Sequence, residues 1–423
     1  MTAVRVLIVS ASYAPEQTGT GPYSGELAAG LAERGVQVEV LALPKHYPEW
    51  RVPAEAGVRG LTRTEPLDGA LVHRVHGYVP GRPDALRRLL YEASFAAAAT
   101  LAGRRLHRPD VVVVVSPPLL SVPAAQAMAR RWDVPCLLHI QDLVPGVAAA
   151  SGVVSSPLLL RLAARLERAA YARADAISVI SDGFARHVAR LGHGAKTSVL
   201  PNWVSPDDLR QGEYGLEVRK ELGIGEDEFV GVYSGTFSRK QGIELLLEAA
   251  ARPAAHGLRL LAIGDGPSRR LQEDGVARGA APALTLQPLQ PRDRVPDVLA
   301  SCDAALLPQL PGVGSATLPA KLVTYMAAAL PVVVAADQAS EAGRLVRELD
   351  CGLTVPPGDA GALLAALQAL RADPAGARER GLRGRAYVRA ELDPDHLLDR
   401  WVELLAGLAS RTSSMPRRSR RGQ

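Results

Sequence analysis

The sequence predicts an α/β protein with two facing Rossmann-like domains, and three features support this prediction. Short β-rich runs such as residues 4–9 and 111–115 are apolar on both faces, as buried parallel strands are. Helical patterns separate these runs, and the alternation of strand and helix restarts near residue 229. At 423 residues the chain is too long for a single hydrophobic core. We therefore expect two doubly wound domains with a cleft between them.

The joint between the domains is predicted at residues 201–206, where two prolines flank Asn202 and Trp203. Ligands of such paired domains bind at the carboxyl ends of the strands, across the cleft, which suits the transfer of a nucleotide-carried group. The predicted parts are an N-terminal domain over 1–203, a C-terminal domain over 204–390, a C-terminal helix over 391–410 that crosses back to the first domain, and a disordered basic tail over 411–423.

The composition describes a folded protein and gives no sign of nucleic-acid binding. Hydrophobic residues make up 47% of the chain, charged residues 22%, and the net charge of +5 is modest for this length. The arginines after Ser410 form either a solvated tail or a tether to anionic lipid. We find no signal peptide and no run that spans a bilayer, so we expect a cytoplasmic protein, free or peripheral on the inner face of the cell membrane. The cysteines lack metal or disulfide spacing and indicate reduced core residues: Cys136, Cys302 and Cys351.

Residues 314–335 predict a loop, a helix and a buried strand, an arrangement typical of phosphate-binding sites. Pro319 fits the first helical turn, where its missing N–H costs nothing. Lys321 in that turn is unfavourable for the helix dipole alone, and a nearby anion accounts for it. We predict a diphosphate site here, with an ordinary helix and a solvent-facing lysine as the alternative. The loop residues whose amides join this site are Ser315, Ala316 and Thr317, the last of them also a candidate cap.

Two further glycine loops end predicted strands of the second domain. Residues 235–242, GTFSRKQG, begin with Gly235 and place Arg239 and Lys240 where they reach a diphosphate; a solvated charge pair is the alternative. Gly264 and Asp265 belong to a Gly-Asp-Gly turn, which is a common pattern and therefore a weak signal. We predict that these residues line the same diphosphate site.

A third glycine loop lies in the first domain, after the first strand. Gly19 and Gly21 allow a ligand to approach the backbone closely, and a flexible turn is the alternative. The loop from Ala11 is too long for a dinucleotide fingerprint, and no acidic residue ends the second strand. This departure disfavours a dinucleotide-dependent oxidoreductase.

His139 closes the predicted strand PCLLHI. At that edge a histidine can donate to a sugar hydroxyl or develop charge in a transition state; an ordinary hydrogen-bonded histidine is the alternative. The Asp-x-Asp sequence at 393–395 is better explained as a helix cap, and the P-loop pattern is missing. We expect neither a metal nor a cofactor.

Taken together and in order, seven stretches resemble the retaining family 4 glycosyltransferases of GT-B fold. Within that family they are similar to the branch containing the colanic-acid fucosyltransferase and related O-antigen amino-sugar transferases. Each stretch is weak alone, and the combination is specific. The stretches are YAPEQTGTGPYSGELAAGLAERG, LPKHYPEW, LHIQDLVP, PNWVSP, YSGTFSRKQGIELLLEAA, IGDGP and LPAKLVTYMAAALPVVV.

The resemblance implies roles for particular residues. Gly19 and Gly21 match the glycine loop near the diphosphate and acceptor, and His139 lies where the family keeps a histidine beside the transferred sugar. Lys240 stands nearest the family's phosphate lysine, one residue early. We therefore assign His139, Lys240 and Lys321 as candidate catalytic residues.

The sequence departs from the family pattern at three positions. Thr236 replaces an arginine, and Ala316 and Thr324 occupy the two positions of the Glu-x7-Glu signature. Thr324 cannot hold a ribose diol as a carboxylate does. Lys321 and the loop amides are the groups that remain to bind the nucleotide in place of the missing family residues.

The resemblance also implies a reaction. A nucleotide-diphosphate sugar, GDP- or UDP-linked, gives its sugar with retention of the anomeric configuration to a glycan or polyprenyl-linked acceptor in cell-surface polysaccharide biosynthesis.

An amphipathic helix is predicted at 85–108, with Leu86, Leu89 and Leu90 on one side. It fits either docking on an anionic membrane or packing in the core. A non-catalytic sugar-nucleotide-binding subunit and a nucleotide-sugar epimerase are the other interpretations.

Overall fold

In the computed structural model, the described residues form two compact units. The first unit contains the described residues up to 143, residues 156–201 and residues 395–414. The second contains the described residues of 202–394. The described residues are 3–16, 19–47, 49–82, 84–143, 146, 156–204, 209, 215–238, 241–252, 255–312, 314 and 318–414.

An eight-stranded sheet lies at the centre of the first unit. Its strands are β1 (Arg5–Val9), β2 (Gln37–Ala42), β3 (Thr62–Leu67), β4 (Ala70–Val75), β5 (Val111–Ser116), β6 (Cys136–Ile140), β7 (Ala176–Val179) and β8 (Thr197–Val199). Their order is β3-β4-β2-β1-β5-β6-β7-β8, with β3 antiparallel to β4 and parallel pairing from β4 onward. The order reverses between β1 and β5, and such a switch point is where doubly wound sheets bind ligands.

Helices connect these strands and pack on the sheet. β5 is buried at every residue, so apolar side chains cover both of its faces, as the uninterrupted valine run requires. The helices are α1 (Gly21–Glu33), α2 (Ala85–Gly103), α3 (Ser121–Trp132), α4 (Pro157–Arg173) and α5 (Asp182–Arg190).

A six-stranded parallel sheet forms the second unit. Its strands are β9 (Phe229–Ser234), β10 (Leu258–Ile263), β11 (Leu284–Gln287), β12 (Ala304–Pro308), β13 (Val332–Ala335) and β14 (Gly352–Val355). The order β11-β10-β9-β12-β13-β14 is the Rossmann order, and the switch point lies between β9 and β12. The helices are α6 (Gly215–Glu221), α7 (Glu244–Ala250), α8 (Arg269–Ala277), α9 (Val295–Ala300), α10 (Ala320–Ala327), α11 (Glu341–Glu348), α12 (Ala360–Ala372) and α13 (Pro374–Glu391).

The C-terminal helix α14 (Pro394–Ser414) packs on the first unit. Asp395 accepts from Arg34, the residue after α1, at 2.6 Å, so this aspartate of the Asp-x-Asp sequence is part of an ion pair. The buried Trp401 ring meets the ring of His139 edge-on, with centroids 5.1 Å apart. The helix continues through residues 411–414, so the predicted start of the disordered tail at 411 is too early. Residues 415–423 lie outside the described residues.

The predicted fold class, two Rossmann-like α/β domains followed by a C-terminal helix, is confirmed. Among the described residues, no helix combines the length and apolar character that crossing a bilayer requires.

Candidate functional site

Two glycine loops meet at the carboxyl ends of β9 and β10. Gly235 and Gly264 have φ angles of 143° and 151°, a backbone conformation that side chains rarely adopt. A Cβ atom built on Gly264 would lie 1.8 Å from the carbonyl oxygen of Gly235. Their own N–H groups donate to the carbonyls of Ile263 and Gln287. Gly264 is therefore required by contact between the two loops, a reason that the spacing of glycines in a sequence does not reveal.

Lys321 reaches this pair of loops from the first turn of α10, which follows β12. Its ammonium nitrogen lies 2.9 Å from the position that a Cβ on Gly235 would occupy. It stands 3.9 Å from the ring centroid of Tyr233 and donates to Oε1 of Gln241 at 3.2 Å. The structure thus brings together three predicted site residues, Gly235, Gly264 and Lys321, at the switch point of the second sheet.

Two buried tyrosines that the sequence analysis did not assign to the site hold the loop after β9. Tyr325 accepts from the amide of Ser234 at 2.7 Å, and Tyr233 donates its hydroxyl to the carbonyl of Thr236 at 2.7 Å. Burial raises the pKa of both phenols, so each remains protonated and able to donate. Tyr325 lies one helical turn after Lys321, so α10 positions both the cation and the group that fixes the facing loop.

Asp265 lies in the loop after β10 with an exposed side chain. Its Oδ1 accepts from the amide of Gly266 at 2.7 Å, and its carbonyl accepts from Phe237. Arg269, which the sequence analysis did not select, donates to the Gly264 carbonyl at 2.5 Å and adds a cation to this loop. The turn is therefore fixed by its own hydrogen bonds.

Several predicted site residues lie outside the described residues, namely Arg239, Lys240, Ser315, Ala316 and Thr317. Thr324 is half-buried on α10. Pro319 occupies the N-cap position with ψ of 122°, one place before the predicted first turn, and no side chain caps the helix there. Proline has no side-chain acceptor, so the N-cap residue leaves the amides at the start of α10 uncapped by its own side chain, which suits an anion site.

The glycine loop of the first unit contains a buried carboxyl group. A Cβ on Gly21 would lie 3.0 Å from Oε2 of Glu16, whose side chain is buried at the start of α1. Gly21 is therefore needed for a contact within the chain. A carboxyl group at this helix start is unfavourable for a second anion, so the diphosphate role predicted for Gly19 and Gly21 gains no support from their surroundings. The glutamate was not selected from the sequence, because one acidic residue in a loop carries no signal.

His139 lies inside β6 with both ring nitrogens hydrogen-bonded. The Gln141 amide donates to Nε2 at 2.7 Å, which leaves Nδ1 to donate to the hydroxyl of Ser178 at 2.9 Å. Burial lowers the pKa of His139 to about 4, so the ring is neutral at physiological pH. This environment matches the alternative interpretation of an ordinary hydrogen-bonded histidine and does not support the assigned catalytic role.

We expect the free energy of unfolding to fall as the pH is lowered from 6.5 toward 4. In this window the unfolded chain protonates His139 and the folded protein does not, so the unfolded state gains up to about 3 kcal/mol. His139→Gln should flatten this part of the profile in urea unfolding measured across the window. An unchanged slope would show that the folded protein protonates this ring as easily as the unfolded chain does.

Two family models match the chain. One, described as a glycosyl transferase 4-like domain, matches residues 18–203, and the other, described as glycosyl transferases group 1, matches residues 228–373. Together they span most of the chain, one match in each half. The chain belongs to the family 4 glycosyltransferases of GT-B fold.

Individual relatives agree with this assignment. The chain is 28% identical over 417 residues to the Escherichia coli K12 protein named putative colanic acid biosynthesis glycosyl transferase WcaI, covering 96% of this chain and 100% of that protein. Its fold is similar to that of sucrose-phosphate synthase from Thermosynechococcus elongatus, with a TM-score of 0.77, 19% identity and coverage of 96% and 100%. It is also similar to HepE of Anabaena, solved in complex with UDP-glucose, with a TM-score of 0.68, 17% identity and coverage of 97% and 100%.

Proposed function

We propose that the protein transfers a sugar from a nucleotide-diphosphate sugar, GDP- or UDP-linked, to a glycan or lipid-linked acceptor in cell-surface polysaccharide biosynthesis. The observation that carries this proposal is Lys321, whose ammonium lies against the Gly235 loop at the switch point of the second sheet. The names of two similar proteins add support, since one refers to colanic acid and the other was solved with UDP-glucose.

The proposed transfer proceeds with retention of the anomeric configuration. The bond between the anomeric carbon and the diphosphate oxygen breaks as the acceptor oxygen attacks the same face, and the acceptor proton passes to the departing diphosphate. Lys321 and the amides at the start of α10 stabilise the charge that develops on the diphosphate. Lys240 and Arg239, which lie outside the described residues, are proposed to add to this charge.

We also propose that the reaction needs no metal ion or other cofactor. Fixed cations supply the positive charge that a divalent metal would otherwise bring to the diphosphate. One oxygen of the Asp395 carboxyl group pairs with Arg34, so this member of the Asp-x-Asp sequence has a cationic partner within the fold.

A screen of GDP- and UDP-sugars tests the proposed function. We expect at least one donor to be hydrolysed slowly in the absence of acceptor, with the released sugar keeping its anomeric configuration in proton NMR and the rate unaffected by EDTA. A covalent glycosyl-enzyme detected by mass spectrometry would contradict front-face attack. Hydrolysis of no donor would contradict the transferase function.

One observation supports a second candidate, a non-catalytic sugar-nucleotide-binding subunit. Thr324 stands where the family signature has a glutamate, and its hydroxyl cannot bind a ribose diol as a carboxylate does. Such a subunit would bind a donor in calorimetry without hydrolysing it, so measuring binding and turnover on the same donors separates the two candidates.

The acceptor side is proposed to dock on an anionic membrane through α2. The side chains of Leu86, Leu89 and Leu90 are 67%, 49% and 50% exposed, so packing in the core does not account for them. Phe95 of the same helix is fully buried, so the leucines form a separate apolar face, next to Arg87. Helix α4 exposes three more leucines: Leu158, Leu159 and Leu162.

We expect the protein to sediment with vesicles that contain phosphatidylglycerol. Substituting serine at Leu86, Leu89 and Leu90 together should weaken this binding about tenfold or more, since each buried leucine contributes roughly 1.5–3 kcal/mol. Leu216→Ser is the matched control, because Leu216 is 65% exposed in the second unit. Absence of binding by the unmodified protein would count against the membrane and the lipid-linked acceptor.

A further inference from the structure

An aromatic cluster formed by His46, Tyr47, Trp50 and Tyr91 lies beside the glycine loop of the first unit. Trp50 is at its centre, with ring centroids 5.9 Å from Tyr47, 5.4 Å from Tyr91 and 6.1 Å from His46, all edge-on. His46 and Tyr91 are buried, and their side chains are joined by a 3.0 Å hydrogen bond. Tyr47 and Trp50 are half-buried, so part of each ring faces solvent. The cluster therefore has a rigid base and an open aromatic edge.

The backbone of Trp50 is strained. Its φ angle of 52° is left-handed, a conformation that costs a bulky residue about 1–3 kcal/mol. Glycine or asparagine would relieve this cost, and the ring contacts hold the tryptophan there instead. Strain of this kind is concentrated at binding sites, where a side chain is fixed in the orientation that a ligand needs.

The carboxyl group of Glu16 connects the cluster to the glycine loop. Its Oε1 accepts from the amides of His46 and Tyr47 at 3.1 and 3.2 Å, which fixes the segment that carries the aromatic rings. Its Oε2 is buried and has no hydrogen-bond partner among the described residues. Gly19 of the glycine loop lies against the Tyr47 ring, since a Cβ built on Gly19 would lie 3.3 Å from that ring. Within the described part of the chain this oxygen receives no donor, and a sugar is a ligand rich in hydroxyl donors.

Arg88 lies on the outer side of the cluster. Its guanidinium carbon stands 5.5 Å from the centroid of the Trp50 ring, its side chain is exposed, and it forms no ion pair within the described part of the chain. The neighbouring Arg87 differs, because it pairs with Asp84 and donates to the Arg82 carbonyl. Arg88 therefore keeps donors available for an anionic ligand group.

We propose that this cluster is a binding site for a hexose carrying a phosphate on its anomeric carbon, as the acceptor of the transfer. The partly positive C–H face of the pyranose lies on Trp50 and Tyr47, its hydroxyls face Glu16, and its phosphate pairs with Arg88. The site takes the sugar phosphate portion common to free and lipid-linked acceptors. The assignment of this ligand as the acceptor rests on the proposed function. The binding of the sugar phosphate does not, since binding requires no turnover.

Binding of soluble sugar phosphates tests the site directly. Glucose 1-phosphate, galactose 1-phosphate and N-acetylglucosamine 1-phosphate are titrated by calorimetry without any donor. We expect at least one to bind, and Trp50→Gly and Arg88→Ala each to weaken it about tenfold or more. Trp50→Gly is chosen because glycine suits the left-handed backbone, so the ring is removed without imposing strain on the loop.

Two matched controls and a neutral ligand sharpen the result. Arg87→Ala and Trp132→Ala remove the same side-chain types elsewhere in the first unit and should change the dissociation constant less than about twofold. Methyl α-glucoside, which lacks the phosphate, should bind more weakly than glucose 1-phosphate. The site is refuted if no sugar phosphate binds the unmodified protein, if Trp50→Gly and Arg88→Ala bind as tightly as it does, or if the neutral glucoside binds equally well. A protein that binds these ligands but hydrolyses no donor would refute the proposed function and leave this site standing.

Discussion

Replacing Lys321 by alanine is expected to remove most glycosyl transfer while leaving the protein folded. The ammonium lies at the switch point of the second sheet, where the leaving diphosphate is proposed to bind. Removing one group that stabilises developing negative charge typically costs about 100- to 1,000-fold in turnover. The folded state loses a contact with the Tyr233 ring, which contributes roughly 0.5–1 kcal/mol at a partly exposed site. Donor hydrolysis and thermal unfolding measured on one preparation check both expectations.

The control is Lys220→Ala, because Lys220 is an exposed lysine on α6 of the same unit. It should hydrolyse the donor at the unmodified rate. Lys321→Arg keeps the charge on a larger, planar group and should recover only part of the activity. We expect Lys240→Ala to lose turnover in the same way, although that residue lies outside the described part of the chain. Near-normal rates for both alanine variants would reject the diphosphate assignment.

The architecture of the two sheets could be predicted because the buried strands are local features. The β-rich runs predicted at 4–9 and 111–115 became β1 and β5, with shifts of at most one residue at their ends. Buried parallel strands must be apolar on both faces, so their composition alone identifies them. The two switch points then follow from the alternation of strands and helices.

One edge strand and one helix were not predicted, because neither has a clear hydrophobic pattern. Strand β3 reads TRTEPL and forms an antiparallel edge with β4, so only its pairing with β4 identifies it as a strand. Helix α13 carries three glycines and five arginines, which gives it no clear apolar face. Helix α13 depends on packing against α10, which is distant in sequence. Strand β3, in contrast, pairs with the next strand across Asp68 and Gly69, and this Asp-Gly turn is a local hairpin signal that was overlooked.

The candidate site also contains residues that a local sequence pattern identifies and residues that it does not. Lys321 could be selected from the sequence because a lysine in the first turn of a helix is unfavourable for the helix dipole. Tyr325 could not, since its partner Ser234 lies 91 positions away. Glu16 and Trp50 are also invisible locally, because one is defined by an unsatisfied buried oxygen and the other by a left-handed backbone. His139 is a different case: its strand-end position suggested catalysis, and the structure shows a neutral ring with both nitrogens hydrogen-bonded, so its catalytic role stays a prediction.

Gly264→Ala is expected to destabilise the second unit severely. The new methyl carbon would lie 1.8 Å from the Gly235 carbonyl oxygen and 2.9 Å from the Gly235 carbonyl carbon, and backbone cannot move aside as a flexible side chain does. The φ angle of 151° adds strain for any residue with a side chain. We expect a loss of about 3 kcal/mol or more in the free energy of unfolding, measured by urea denaturation.

Gly279→Ala is the control for a glycine with positive φ and open space around it. Gly279 has a φ of 68°, and a Cβ there meets no atom within 4 Å, so alanine should cost only about 1 kcal/mol. The difference between the variants is an upper bound on the cost of the contact between the two loops, because a φ of 151° is itself more strained for alanine than a φ of 68°. If Gly264→Ala were as stable as Gly279→Ala, the loops after β9 and β10 would not be in contact. The ammonium of Lys321 would then lose the fixed backbone against which it is held, and the diphosphate site would need another basis.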